Sequence, residues 1–374
     1  MASSLFSSQP LKGAYFAFYF CWLPFRLISL AILYYLMKSL RPVPQWGVSQ
    51  CLGRAYLKSW FDILSVTRHQ GGKQLVEPSN TRSKLINLEP PSKDYFSHLL
   101  RPHNIEPAIV PALWFEAPTR QSHGTSSEEQ KVVLNFPGGA FVLPLATNQV
   151  GESIAALIAE HLGANTLFVQ YRISQSSDTR FPAALQDSVT AYHHLIASGV
   201  DPSRIIISGD SAGGNLALAL LRYLEGQDRL PLPSGVMVFS PPVYVTPHAA
   251  QDYEGYRNGL TDILTPSLIQ WAVDAFLPKQ GDAYQDAARP FYSPLHHAFK
   301  TRVPVFIHAG NKEAFYDTIS DFALEMVQID GNQVRFHETE LAPHDIFLTH
   351  KLLVFTAQIG EALKDAAQFL AAHV

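Results

Sequence analysis

This chain of 374 residues holds only two cysteines, Cys21 and Cys51. Both precede the region where motifs gather, so neither a disulfide framework nor a cysteine-based metal site can be built in the main domain. No Asn-x-Ser/Thr acceptor occurs, so nothing marks passage through the secretory lumen. Charged residues make up only 16% and the formal net charge is -4, with no basic stripe interleaved with aromatics. A nucleic-acid partner is therefore not expected. Internal repeats are absent too, which excludes a solenoid or a propeller.

Apolar residues are plentiful at 47%, enough for one large core or two smaller ones. One apolar run stands apart. From Ala14 to Met37 the chain reads "AYFAFYFCWLPFRLISLAILYYLM", long enough to cross a bilayer core. Pro24 would kink such a helix, and Arg26 near its centre costs roughly 3 kcal/mol on insertion scales. Three readings stay open: a single span, a segment lying in the interface, or a helix buried against the domain. Lys38, Arg41, Arg54 and Lys58 outnumber the charges before the run, which would leave the main domain on the cytosolic side of a span. The expected location is a membrane, that of the endoplasmic reticulum, with the side left open. The expected division is an anchor and linker over 1–60 and a catalytic domain over 61–374, with one or two helices around Trp60, Phe61 and Leu64.

From Ala108 onward short apolar runs alternate with helical patterns. "IVPALWFEA", "KVVLNF", "NTLFVQYRI", "RIIISG", "GVMVFSPPVYV", "VPVFIHAG" and "QVRFHETE" read as strands. Helices are expected over 151–162, across "FPAALQDSVTAYHHLIAS", and over 211–224, 315–329 and 347–372. "QSHGTSSEEQ" reads as a surface loop. Continuous apolar strands between helices imply a mostly parallel sheet covered on both faces, an α/β class. Between 249 and 290 the alternation breaks into an insertion, expected to form a cap or lid with Trp46 and Trp60.

"ISGDSAGGNLAL" places Ser211 between Gly209 and Gly213 on a strand-to-helix turn. The context gives a G-x-S-x-G meaning: small neighbours allow a tight turn that lifts the hydroxyl out of the sheet. The helix N-terminus then favours negative charge on the attacking oxygen. A serine nucleophile needs a base, and the base an orienting acid. Glu313 and Asp317 follow "VPVFIHAG", and His344 follows "QVRFHETE", both where loops gather at the carboxyl edge of a sheet. Spacing barely separates the two acids. The pairs His193-His194 and His296-His297 carry no motif and read as structural. "NFPGGAF" puts Gly138 and Gly139 after a strand, where free backbone amides can meet an oxyanion.

These segments together resemble the hormone-sensitive-lipase-like carboxylesterases of the α/β-hydrolase fold, from about Val110 to the C-terminus. "GDSAGGNLAL" is similar to the family's nucleophile elbow, "YRISQSSDTRFPAALQD" to its Tyr-Arg…Phe-Pro-Ala-Ala-Leu-x-Asp segment, and "YSPL" to its Ser-Pro element. "PGGAF" stands where the family has His-Gly-Gly-Gly-Phe, with Pro137 for the His and Ala140 for the third Gly. The resemblance implies an eight-stranded, mostly parallel sheet with helices on both faces and a cap. It implies Ser211 as nucleophile, His344 as base, Glu313 as acid, and Gly138, Gly139 and Ala212 as oxyanion donors. It implies no cofactor and no metal. An apolar anchor before such a domain resembles the fungal membrane-bound steryl acetyl hydrolases. The implied activity is hydrolysis of a short, acetyl-like ester of a hydrophobic alcohol such as a sterol or lipid, through an acyl-enzyme. Two other readings are an ester or thioester hydrolase of polyketide-type metabolism, and a non-catalytic ligand binder on the same fold. Nothing in the sequence speaks to the oligomeric state.

Overall fold

The computed structural model describes residues 5–68, 83–101, 105–118, 130–279 and 281–373. The Gly71-Gly72 pair, and all of the expected loop 121–130 except Gln130, lie outside them. Eight strands form one sheet in the order β1-β2-β4-β3-β5-β6-β7-β8. They are β1 (Ser83–Leu88), β2 (Val110–Phe115), β3 (Val132–Phe136), β4 (Asn165–Val169), β5 (Ile205–Asp210), β6 (Gly235–Phe239), β7 (Val305–Gly310) and β8 (Val334–Thr339). From β4 through β8 every pairing is parallel, while β2 runs antiparallel to both β1 and β4. The interior strands β3, β4, β5, β6 and β7 are buried at every residue, which is why they read as unbroken apolar runs. β1 went unread in the sequence: "SKLINL" has its inner residues half-buried or exposed, and the strand sits at the sheet edge.

Helices α3 (Asn148–Leu162) and α11 (Thr356–Ala371) pack together as one layer. α4 (Ala183–Ala197), α5 (Ala212–Glu225) and α8 (Asp282–Tyr292) make the other, and α9 (Tyr316–Val327) lies on β7 and β8. The chain leaves β3 toward β4 and returns to β5 on the other side of β3. The loops after β3 and β5 therefore open a crevice at the carboxyl edge of the sheet. The single helix expected over 347–372 is two, α10 (Ile346–Leu353) and α11. Val354 breaks them at φ 59°, a left-handed conformation rare for a β-branched residue and unsignalled by any glycine or proline.

α1 (Leu11–Leu36) runs unbroken through Pro24. It folds back along α2 (Val48–Val66): Arg26 donates to Ser59 Oγ, and Tyr19 hydrogen-bonds to Asp62. Arg26 is thus turned toward α2 and stacked on Trp22, 5.2 Å from its ring centre. The opposite flank leaves Phe18, Phe25, Ile28, Ile32 and Leu36 exposed, a stripe at helical spacing. α2 itself belongs to the domain body. A Cβ on Gly53 would stand 2.7 Å from the Leu352 carbonyl, so α2 touches α10 backbone to backbone. A cut at residue 60 would pass through this helix.

Candidate active site

Ser211 sits between β5 and α5 with φ 48° and ψ -121°, a region that L-residues rarely visit. The strain is held by close packing. A Cβ on Gly213 would lie 1.8 Å from the Phe136 carbonyl, and one on Gly209 would lie 2.3 Å from the Gly213 carbonyl. Only glycine permits α5 to start this close to β3 and β5. The Ser211 amide donates to Phe239 O at 2.8 Å, tying the turn to β6.

Two further loops converge on the hydroxyl. His344, after β8, places Nε2 2.9 Å from Ser211 Oγ, and its Nδ1–H donates to Glu313 Oε2 at 2.7 Å. Glu313, after β7, is fully buried. Its other oxygen accepts from the Gly310 amide at 2.9 Å and from Ser240 Oγ at 3.2 Å. Asp317 is elsewhere: exposed and paired with Arg257 at 2.7 Å. The structure thus separates two acids that spacing could not. The paired histidines His193-His194 and His296-His297 make no contact with this group.

Burial raises the Glu313 carboxyl to about 7, against the hydrogen bond from His344 and its charge. Burial works against the His344 imidazolium, yet the hydrogen bond and charge of Glu313, then the charges of Asp262 and Asp345, outweigh it. His344 is carried up to about 9. With the imidazole the more basic partner, the shared proton rests on His344 and Glu313 stays a carboxylate.

The loop after β3 lies against the serine. Gly139 has φ 122° and Ala140 and Phe141 have φ 54° and 58°, so three successive residues leave the usual backbone regions. The expectation for Gly138 fails here. Its N–H donates to Asp210 Oδ2 at 2.9 Å and is not free to meet an incoming oxygen. The Gly139 and Ala140 amides carry no such bond, and Ala140 and Ala212 line the cleft beside Ser211. Pro137 offers only its carbonyl, which accepts from Tyr171 Oη at 2.7 Å.

Asp210 also hydrogen-bonds to the carboxyl of Asp345. Two buried carboxyls this close cannot both stay ionised. Burial, then the charge of Asp345, raises Asp210 well above its ordinary value, and burial raises Asp345 too, so the pair shares one proton. This pair links the loop after β3 to the loop of His344. Asp210 was visible only as the variable position of the elbow, and Asp345 only as the neighbour of His344.

The cleft over Ser211 encloses about 650 Å³, its open mouth included. The insertion covers it, α6 (Ala249–Gly255) supplying Ala249 and Asp252, and α7 (Pro266–Phe276) supplying Ile269, Val273 and Phe276. Trp46 and Trp60 do not line it. Trp46 is buried and donates to Leu341 O at 2.7 Å, bracing the His344 loop from behind. Phe276 stacks on Phe141 with centroids 3.9 Å apart and planes 6° from parallel. Among the described residues no group of three His, Cys, Asp or Glu side chains is placed to hold a metal ion.

Residues 133–348, more than half of the chain, match the family model described as the alpha/beta hydrolase fold. The chain belongs to this family. Among curated relatives, an acetyl-hydrolase of Streptomyces hygroscopicus is 28% identical over 212 residues, 56% of this chain and 66% of that protein. The carboxylesterase/phospholipase LipF of Mycobacterium tuberculosis is 30% identical over 187 residues, 49% of this chain and 47% of that protein. The match thus spans between about half and two thirds of these relatives' lengths. An esterase from the bacterial hormone-sensitive lipase family has the same fold, with a TM-score of 0.62 at 20% identity, covering 87% of this chain and 98% of that one.

Proposed function

We propose that the protein is a serine carboxylesterase that removes a short acyl group from a hydrophobic alcohol. The observation that carries this reading is the unbroken chain Ser211 Oγ, His344, Glu313, with contacts of 2.9 and 2.7 Å. In it Ser211 attacks the ester carbonyl as His344, once neutral, takes its proton. Glu313 holds the imidazole in the tautomer this requires and stabilises the imidazolium. The N–H groups of Gly139, Ala140 and Ala212 receive the developing oxyanion. The imidazolium then protonates the departing alcohol, leaving an acyl-Ser211 that water cleaves by the same steps. The relatives named acetyl-hydrolase and carboxylesterase support this class of reaction, and a base in contact with the nucleophile favours it over ligand binding alone.

The Phe141–Phe276 stack, backed by Tyr171, Phe181 and Tyr292, stands one residue from Ala140, and we assign it as the wall that limits acyl length. With p-nitrophenyl esters, kcat/KM should fall by about tenfold or more from acetate to octanoate, a barrier difference of about 1.4 kcal/mol. Equal rates on both would overturn the short-acyl assignment.

The apolar flank of α1 fits a lipid surface. A transmembrane path would pull Arg26 from Ser59 and Tyr19 from Asp62, whereas a helix lying in the interface keeps both. The full-length protein should float with phosphatidylcholine vesicles and be stripped from them by alkaline carbonate. Replacing Phe25 and Ile28 with Glu removes two exposed apolar side chains that the lipid would bury, each worth about 1.5–3 kcal/mol, and should release it. Protein that never floats overturns membrane association; protein that resists carbonate overturns the interfacial arrangement.

A further inference from the structure

The insertion does more than cover the cleft. At its centre lies Asp262, fully buried. Its Oδ1 accepts the His344 backbone amide at 2.9 Å and the Ile263 amide at 2.7 Å. Its Oδ2 accepts the Ala314 amide, next to Glu313, at 2.8 Å. One carboxylate thus grips the base loop and the acid loop together. Neighbouring residues repeat the grip: Asn258 Nδ2 donates to Asn311 O at 3.0 Å and Glu313 O at 3.1 Å, and Thr261 Oγ1 donates to Lys312 O at 2.8 Å.

The loop carrying Asp262 is held in turn from the N-terminal side. Arg54 of α2 donates through Nε to Asp262 O at 3.1 Å and through Nη2 to Leu260 O. Lys58, one turn on, donates to Gly259 O at 2.9 Å. Both cations are partly desolvated for this purpose: burial lowers Arg54, and it lowers Lys58 to about 8, with Asp262 opposing in each case. A buried carboxylate left without these neighbours would be costly.

We infer that Asp262 is a positioning residue for His344 and Glu313, and that α2, through Arg54, is part of the apparatus that holds it. The inference rests on the triad reading above. The amide contacts fix where the base and acid stand, and the carboxylate's charge favours the imidazolium. His344 faces Glu313 from the loop after β7, Asp262 from the insertion and Asp345 from its own loop, with Asp210 behind Asp345 and Arg54 and Lys58 behind Asp262. Asp262→Asn removes one of these negative charges and sets an NH2 group against backbone donors.

The test uses full-length protein in detergent, with p-nitrophenyl acetate as probe. Asp262→Asn should lower kcat by about 10- to 100-fold, the scale of a misplaced catalytic group, with KM changed less than about threefold. The rising limb of the kcat/KM pH profile reports the deprotonation of His344. It should move to lower pH by roughly 0.5, because losing a nearby negative charge favours the neutral imidazole. A purely structural role would cut the amount of active enzyme and leave the limb in place. Arg54→Lys keeps the charge and loses the forked donor; it should lower kcat per fluorophosphonate-titrated Ser211 site by about fivefold with the limb unmoved, whereas a purely structural role would lower only the number of titrated sites. That variant decides the matter if Asp262→Asn does not fold. A wild type whose turnover does not need Ser211 overturns the triad reading. A Ser211-dependent wild type beside a folded Asp262→Asn with unchanged kcat and limb, or an unchanged Arg54→Lys, overturns this inference alone.

Discussion

Ser211→Ala should abolish labelling by a serine-directed fluorophosphonate and lower ester turnover by about a thousandfold or more, the scale of losing one member of a triad. The substitution removes a single oxygen, and Ala retains a Cβ at the strained turn. The fold should therefore survive, and the loss belongs to chemistry. The residual rate comes from the oxyanion donors and substrate binding, which the variant keeps. Mass spectrometry of the labelled wild type should place the phosphonate on Ser211. Equal labelling of both proteins would show that the nucleophile lies elsewhere and that the 2.9 Å contact with His344 is only structural.

Glu313→Ala should lower kcat by about a thousandfold, and Asp317→Ala by less than about threefold. The asymmetry follows from place. Glu313 is buried at 2.7 Å from His344 Nδ1 and anchored through its second oxygen. Removing it leaves a buried imidazole with no acceptor for its Nδ1–H and takes away the nearest counter-charge of the imidazolium. Asp317 loses only an exposed pair with Arg257, and such pairs contribute little. The pH profile adds a second check. Glu313 raises His344, so without it the imidazole should titrate lower and the rising limb should shift to lower pH. If Asp317→Ala is inactive while Glu313→Ala retains its rate, the acid assignment is reversed.

Much of the architecture was legible because buried parallel strands leave a strong signal. Runs such as "VVLNF" and "GVMVF" are apolar at nearly every position since both sheet faces are covered. β1 gave no such signal, its outer surface being wet. The turn at Ser211 was readable from its glycines, whose reason is the near-contact of α5 with β3. The choice between Glu313 and Asp317 was not readable from spacing, since both follow β7 and only folding decides which one is buried. Gly138 was misread because a glycine's freedom says nothing about where its amide points; here Asp210 takes it. The break at Val354 was unreadable because tertiary packing, not a breaker residue, imposes it. Asp262 stands in an irregular insertion with no motif around it, and its use depends on three segments far apart in sequence.

The exposed apolar stripe of α1 bears on how this catalyst should be assayed. On the proposed reading it works while adsorbed to a surface, and its substrates dissolve in that same surface. The concentration that governs its rate is then an areal one, the mole fraction of ester among the surrounding lipids. Adding inert lipid at constant total ester spreads the substrate over more surface and slows the reaction, although nothing in the bulk volume has changed.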